Sequence, residues 1–154
     1  MFGLLLIAGI LSCSKDTSEN QAVVFGPQGS EITIETANTG GNVTCDEVAV
    51  GVGCTFEYTS GKIDYNGGPG GNINDIITWT TDGTYVSWES TVPVKIAVIV
   101  KGGNDANIYF SGCGDDDCVS EGTGLAAPVN ASGRPAGLSN ITFCYSLCEE
   151  AEEE

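Results

Sequence analysis

The sequence predicts an all-β domain, an antiparallel β-sandwich or barrel with long glycine-rich loops and disulfide cross-links. Many short segments alternate apolar and polar residues, which is the pattern of half-buried strands. Glycine-rich turns separate these segments, and the 154-residue chain contains 22 glycines. We find no convincing amphipathic helix. Many short strands joined by such turns are typical of sandwiches and barrels.

The expected strands differ in how much of their surface they bury. Residues 94–101 are apolar on both sides, which favours a central strand covered on both faces. Residues 66–72 hold four glycines and a proline, so we expect a loop there. The other expected strands are 23–25, 32–36, 54–59, 62–65, 107–110 and 140–146.

Residues 76–89 form the clearest predicted hairpin. Asp82-Gly83 is the signal for a two-residue type I′ turn. Because side chains alternate along a strand, both tryptophans fall on one face with Ile77 and Val86, and we expect them in the core. The predicted cross-strand pairs are Thr81 with Thr84, Trp79 with Val86, and Ile77 with Trp88.

The first residues indicate export. Residues 2–11 form an apolar run that is too short for a transmembrane helix, which needs about 20 residues, and that fits the core of a secretory signal. Cys13 follows, where a signal peptide would be cut, and its surroundings resemble the lipobox of bacterial lipoproteins. The resemblance implies that a lipidated Cys13 is the mature N-terminus. A plain cleavable signal and an N-terminal strand are the alternatives.

The export signal divides the chain into four parts. Residues 1–12 are the expected signal peptide, and 13–30 are the lipidated N-terminus and a tether. Residues 31–148 are the expected β-domain, and 149–154 are a like-charge acidic tail. Two acyl chains on Cys13 would give stable membrane anchoring. We therefore expect the protein on a bacterial outer membrane or cell surface.

Charge and composition exclude several functions. The chain has 5 Lys and Arg against 21 Asp and Glu, a net charge of −16. Since phosphate binding needs Lys and Arg, we expect no nucleic-acid partner. The chain has no histidine, which excludes Ser-His-Asp and Cys-His catalysis and zinc sites with imidazole ligands. A hydrolase would have to use paired carboxylates alone.

The cysteine count predicts disulfides. The chain has seven cysteines, and removing Cys13 leaves an even number, as expected for three disulfides in an exported chain. The alternative is a four-thiolate zinc site at positions 45, 54, 144 and 148, although close Cys-x-x-Cys pairs are missing. The expected disulfides are Cys113–Cys118, which closes a short loop, and the nested pairs Cys54–Cys144 and Cys45–Cys148.

Two groups of side chains are candidate binding sites. The loop between Cys113 and Cys118 presents three consecutive carboxylates as weak calcium candidates, because calcium prefers several oxygen ligands. The alternative is a solvated acidic loop. Three tyrosines on expected strands are candidates for a sugar-stacking platform, and exposed strand tyrosines are also ordinary. These residues are Asp115, Asp116 and Asp117, and Tyr58, Tyr65 and Tyr85.

Three segments in the C-terminal half carry a family resemblance. Residues 97–109, 124–130 and 137–145 read AVIVKGGNDANIY, GLAAPVN and GLSNITFCY. In this order they resemble a β-rich domain of bacterial secreted and surface-anchored proteins, over about residues 76–146. That family often has histidine where this chain has Asn140, so a shared catalytic histidine is not retained. The resemblance implies an extracellular location and gives no site residues.

These observations favour a non-enzymatic, lipid-anchored cell-surface protein with a structural or adhesive role. Its expected partners are the membrane, through the lipid on Cys13, and a glycan or another surface protein. One alternative is a glycan-binding module, with calcium from the acidic loop as an assisting ion. Another is a glycosidase that uses carboxylates alone. We expect no other cofactor.

Overall fold

A computed structural model describes residues 21–37 and 40–148 of the chain. The expected signal peptide 1–12, Cys13 and the acidic tail 149–154 lie outside the described residues. The described part is mostly β and holds three disulfides, as the sequence predicts. Its strands and helix are β1 (Gln21–Phe25), β2 (Glu31–Glu35), α1 (Cys45–Val52), β3 (Tyr58–Thr59), β4 (Ile63–Asp64), β5 (Gly70–Ile73), β6 (Ile77–Thr81), β7 (Tyr85–Gly102), β8 (Asp105–Phe110), β9 (Val119–Ala126) and β10 (Asn140–Leu147).

All of these strands belong to one hydrogen-bonded sheet. Its main path runs β2-β1-β8-β7-β10-β3, and β4 also pairs with β10. A second branch runs from β7 through β6 to β5, while β9 pairs with β7 on the other side. The pairing is antiparallel except between β1 and β8. The described sheet is not closed, so the expected barrel or sandwich form is not confirmed.

β7 is the longest strand and joins the two branches. Its 18 residues include both the second arm of the predicted hairpin and the predicted central strand 94–101. The first part pairs with β6 and β9, and the last part pairs with β8 and β10. The register with β9 shifts between Glu89 and Val94. β7 therefore belongs to both branches of the sheet.

Two apolar cores lie on opposite faces of the last part of β7. Val98 faces the first core, with the two tryptophans of the hairpin and with Phe143 of β10. Ile99 faces the second core, which β1, β2, β8 and α1 supply. Both side chains are almost fully buried. The prediction that residues 94–101 form a central strand is confirmed.

The hairpin register differs from the prediction by two residues. Trp79 lies opposite Trp88, and Thr81 lies opposite Val86. The turn is centred on Gly83 and Thr84, because Asp82 N donates to Tyr85 O. Gly83 has φ 91°, whereas Thr84 has no positive φ, which fits a type II′ turn rather than type I′. The predicted pairs Thr81–Thr84, Trp79–Val86 and Ile77–Trp88 are therefore wrong.

The shift leaves the side-chain faces unchanged, because a two-residue slip preserves alternation. Trp79 is 6 % exposed and Trp88 is 5 % exposed, so their prediction as core residues is confirmed. A glycine lies opposite each ring: Gly71 on β5 pairs with Trp79, and Gly122 on β9 pairs with Trp88. A Cβ at Gly122 would lie 2.4 Å from Trp88 Nε1, so the indole occupies the space of the missing side chain.

Helix α1 is absent from the sequence prediction. Thr44 Oγ1 accepts a hydrogen bond from Glu47 N at 3.3 Å, and Thr44 N donates to Glu47 Oε2 at 2.7 Å. This reciprocal capping box is readable in the sequence as Thr-x-x-Glu. Burial raises the pKa of Glu47, but hydrogen bonds from Ala37 and Thr44 outweigh it and hold the pKa below its ordinary value.

Other differences concern short or glycine-rich segments. The predicted strand 54–59 is reduced to β3, and part of the predicted loop 66–72 is the strand β5. β9 was not predicted. β1 includes the expected strand 23–25 and pairs with β2 and β8, so this strand belongs to the sheet. Within residues 21–37 and 40–148, no helix has the length and apolar character needed to cross a membrane.

Replacing Trp88 tests the packing of the first core. Truncating a buried tryptophan removes apolar contacts and leaves a cavity, so Trp88→Ala should lower the free energy of unfolding by about 3–5 kcal/mol. Urea denaturation measures this change. The matched control is Thr80→Ala, an exposed residue of the same hairpin, which should change stability by no more than about 0.5 kcal/mol. Full stability of Trp88→Ala would contradict the core assignment.

Candidate functional site

The three disulfides connect different cysteines from those predicted. The observed pairs are Cys45–Cys144, Cys54–Cys113 and Cys118–Cys148, with Cα–Cα distances of 5.6, 5.7 and 6.3 Å. All three distances are ordinary for a disulfide. The predicted pairs Cys113–Cys118, Cys54–Cys144 and Cys45–Cys148 are wrong, whereas the prediction of three disulfides is confirmed. Because all six sulfurs are paired, the alternative four-thiolate zinc site is also wrong.

Helix α1 explains the pairing. The nested prediction requires that the extended chain with Cys45 and Cys54 runs antiparallel to the chain with Cys144 and Cys148. Cys45 is instead the first residue of α1, and Cys54 follows its C-cap, Gly53. The eight-residue helix separates them by roughly 12 Å along its axis. Cys45 therefore reaches Cys144 in the second core, while Cys54 reaches Cys113.

Two of the disulfides, Cys54–Cys113 and Cys118–Cys148, line a cavity of about 930 Å³. Lys95 Nζ lies 2.8 Å from Asp115 Oδ1 at this cavity. The Ser146 hydroxyl accepts from Glu57 N at 3.0 Å and donates to Thr55 O at 3.5 Å. These contacts hold the chain after α1 against β10. The cavity side chains are thus engaged in holding the loops together.

The acidic loop does not gather its carboxylates around one point. Residues Asp115–Asp117 form a single 3-10 turn. The Asp115 carboxylate contacts Lys95, whose hydrogen bond and positive charge lower the pKa of Asp115. The Asp117 carboxylate turns back and accepts from Gly114 N at 2.7 Å. Among the described residues, no three His, Cys, Asp or Glu side chains are placed to hold a metal ion together, and this includes Asp115, Asp116 and Asp117.

The three tyrosines do not form one platform. Tyr58 stacks on the buried Tyr145 with ring centroids 5.3 Å apart. Tyr65 N donates to Ser139 O, the residue directly before β10. Ser139 lies six positions before Tyr145, which corresponds to roughly 20 Å along an extended chain. Tyr85 lies at the start of β7 and is 47 % exposed. A continuous sugar-stacking surface across all three is therefore not formed.

A second cavity, of about 470 Å³, lies beside β4, β5 and β6. Sequence analysis missed it, since it assigned most of this segment to a loop. We call it the asparagine groove. Its lining consists of Thr59, Ser60, Ile63, Asp64, Tyr65, Asn66, Gly68, Gly70, Gly71, Asn72, Ile73, Asn74 and Trp79.

The three segments of the family resemblance meet in space. Gly102 ends β7, and a Cβ there would lie 2.6 Å from both Ala127 Cβ and Gly137 O. Tyr109 OH donates to Ala126 O at 2.9 Å and accepts from Ala126 N at 2.9 Å. Asn107 Nδ2 also donates to Ala126 O, at 3.0 Å. These motif residues therefore clamp the end of β9 onto β8.

We compared the chain with models of protein families, with curated proteins and with solved structures, and found no match in any of the three. The family resemblance therefore rests on its three segments alone.

Removing the Tyr109 hydroxyl tests the clamp. Ala126 is buried, so Tyr109→Phe leaves its N–H without that partner and should cost about 1–3 kcal/mol of stability. Chemical denaturation measures the change. The control is Tyr85→Phe, which removes a hydroxyl from an exposed ring and should be nearly neutral. Equal stability of the two variants would contradict the clamp.

Peptide mapping of the exported protein without reductant tests the disulfides. We expect the linked peptides Cys45–Cys144, Cys54–Cys113 and Cys118–Cys148, because these pairs have disulfide geometry. Alkylation without reductant should label none of these six cysteines. A peptide that contains an internal Cys113–Cys118 link would contradict the observed pairing. Labelling of four cysteines together with bound zinc would restore the metal site.

Proposed function

We propose that this chain is an exported, lipid-anchored domain of the bacterial cell surface with a structural or adhesive role, and that it is not an enzyme. The observation that carries the proposal is the pairing of the cysteines. The six cysteines from Cys45 to Cys148 pair with each other. Cys13 therefore has no disulfide partner left in the domain. A cysteine left over directly after an apolar segment is what a lipidation site requires.

The disulfides support export. They close segments with sequence separations of 99, 59 and 30 residues. In the chain-entropy model each contributes roughly 4 kcal/mol by restricting the unfolded chain. Disulfides persist in oxidising compartments and are rare in the cytosol. A domain that depends on three of them belongs outside the reducing cytosol.

The anchor follows from the first part of the sequence. The apolar run 2–11 would direct export, and Cys13 would carry the lipid after cleavage. Two acyl chains hold a protein stably, whereas one gives marginal binding. The outer membrane or the cell surface is the proposed location.

A structural or adhesive role fits how the chain uses its distinctive residues. Three residues of the family resemblance pack the core or hold the end of β9 against β8, namely Gly102, Asn107 and Tyr109.

We also propose a sandwich-like arrangement of the two branches of the sheet. Both parts of β7 contribute side chains to the first core, as Trp88 and Val98 illustrate.

The second candidate function is a glycan-binding module. The observation that favours it is the asparagine groove, a surface cavity lined by amides, hydroxyls and an aromatic ring. The acidic loop adds nothing to this candidate, since its carboxylates do not converge. Glycan binding would make the domain adhesive without any catalytic step.

Cys13→Ala tests the anchor. The variant should move from the membrane fraction to the soluble exported fraction, because no lipid would then hold the chain. Immunoblotting of fractions after a high-salt wash measures the distribution. The matched control is Ser14→Ala, which should stay with the membrane. An exported Cys13→Ala protein that stays in the membrane fraction after the wash would overturn the lipoprotein proposal.

A further inference from the structure

We propose that the asparagine groove binds a neutral oligosaccharide. This inference deepens the second candidate function and rests on it: it names the site and the ligand class. The groove volume of about 470 Å³ lies within the range of small-ligand sites and suits one or two sugar rings.

Three asparagines, Asn66, Asn72 and Asn74, are among the residues that line the groove. Asn72 lies within β5, which ends at Ile73, and Asn74 and Asp75 follow in the turn to β6 with φ 53° and 58°. Asparagine and aspartate tolerate this left-handed region better than most residues. Asp75 N donates to Asn72 Oδ1 at 2.8 Å and fixes the turn. Asn66 approaches the groove from the segment after β4.

The hydrogen bonds in the groove leave specific groups free for a ligand. Asn74 Nδ2 donates to Tyr145 OH at 3.1 Å, which orients the amide and leaves its oxygen as an acceptor. Asn72 Nδ2 donates to Thr78 Oγ1 at 3.2 Å. Asn66 is exposed and makes no hydrogen bond to another described residue, so both its donor and its acceptor functions are free. An amide pairs well with neighbouring hydroxyls, since each hydroxyl both donates and accepts.

The groove also has an apolar side. The half-buried ring of Tyr65 lies among the lining residues with Ile63. An aromatic ring offers an apolar face to the C–H groups of a pyranose and a polar tip to its hydroxyls. A flat, hydroxyl-rich ring fits such a surface.

Charge argues for a neutral ligand. Asp64 is the only charged residue in the lining, and its carboxylate lies 3.1 Å from Lys62 Nζ. The lining contains no Lys or Arg that would bind a phosphate, sulfate or uronate group. The net charge of −16 also repels polyanions. A neutral sugar meets none of this repulsion and can use the amides.

A glycan array tests the proposal with the full exported chain that carries Cys13→Ala. The array presents neutral oligosaccharides (gluco-, manno-, xylo- and chito-oligosaccharides) beside uronate-containing and sulfated ones. We expect binding to at least one neutral group, unchanged by a calcium chelator. Binding of acidic glycans alone, or of none, would overturn the proposal.

Variants of Asn66 locate the site by titration with the bound oligosaccharide. Asn66→Ala and Asn66→Asp should each weaken binding at least tenfold with an unchanged unfolding midpoint. The control Asn104→Ala, an exposed asparagine in the turn after β7, should leave affinity unchanged. Equal affinity of all variants would place the sugar elsewhere and overturn the assignment of the groove. Membrane release by Cys13→Ala is scored separately, so either proposal can fail alone.

Discussion

The last part of β7 must be covered on both of its faces, and most of the domain is arranged to cover it. Val98 and Ile99 are adjacent in sequence and face opposite cores, so no side of this strand can meet water without a large hydrophobic cost. β8 and β10 satisfy its backbone on either side. The hairpin and β9 then close one face, while β1, β2 and α1 close the other. The rest of the chain is fitted around this strand.

The covering elements are short, which explains the disulfides. α1 has eight residues, a length at which an isolated helix is marginal even with a capping box. Cys45–Cys144 fixes its first residue to β10, and Cys54–Cys113 fixes the segment after its end. The third disulfide, Cys118–Cys148, joins the start of β9 to the end of β10. The cross-links thus fasten α1 and the start of β9 to β10 and to the loop after β8.

The sequence predicts the elements whose side-chain pattern is decided locally. The central strand, the hairpin and the buried tryptophans follow from alternation and apolar content. The position of the hairpin turn does not follow from this pattern. Turns centred on Asp82-Gly83 and on Gly83-Thr84 place the strand side chains on the same two faces, so alternation cannot distinguish them. The partners of Cys45 and Cys54 depend on α1, whose signal in the sequence is the capping box of Thr44 and Glu47. The helix changes the partners of Cys45 and Cys54, whereas the predicted pair Cys113–Cys118 rested on proximity in the sequence alone.

The candidate groove was beyond the sequence because its cause is non-local. Glycine disfavours strands, so residues 66–72 predict a loop. In the structure Gly71 lies opposite Trp79, whose indole takes the space of a side chain and lets β5 pair with β6. Asn72 in this strand and Asn74 in the turn after it line the groove together with Asn66. The burial of Trp79 in the core therefore favours glycine at position 71, and the strand that this glycine allows supplies part of the lining of the groove.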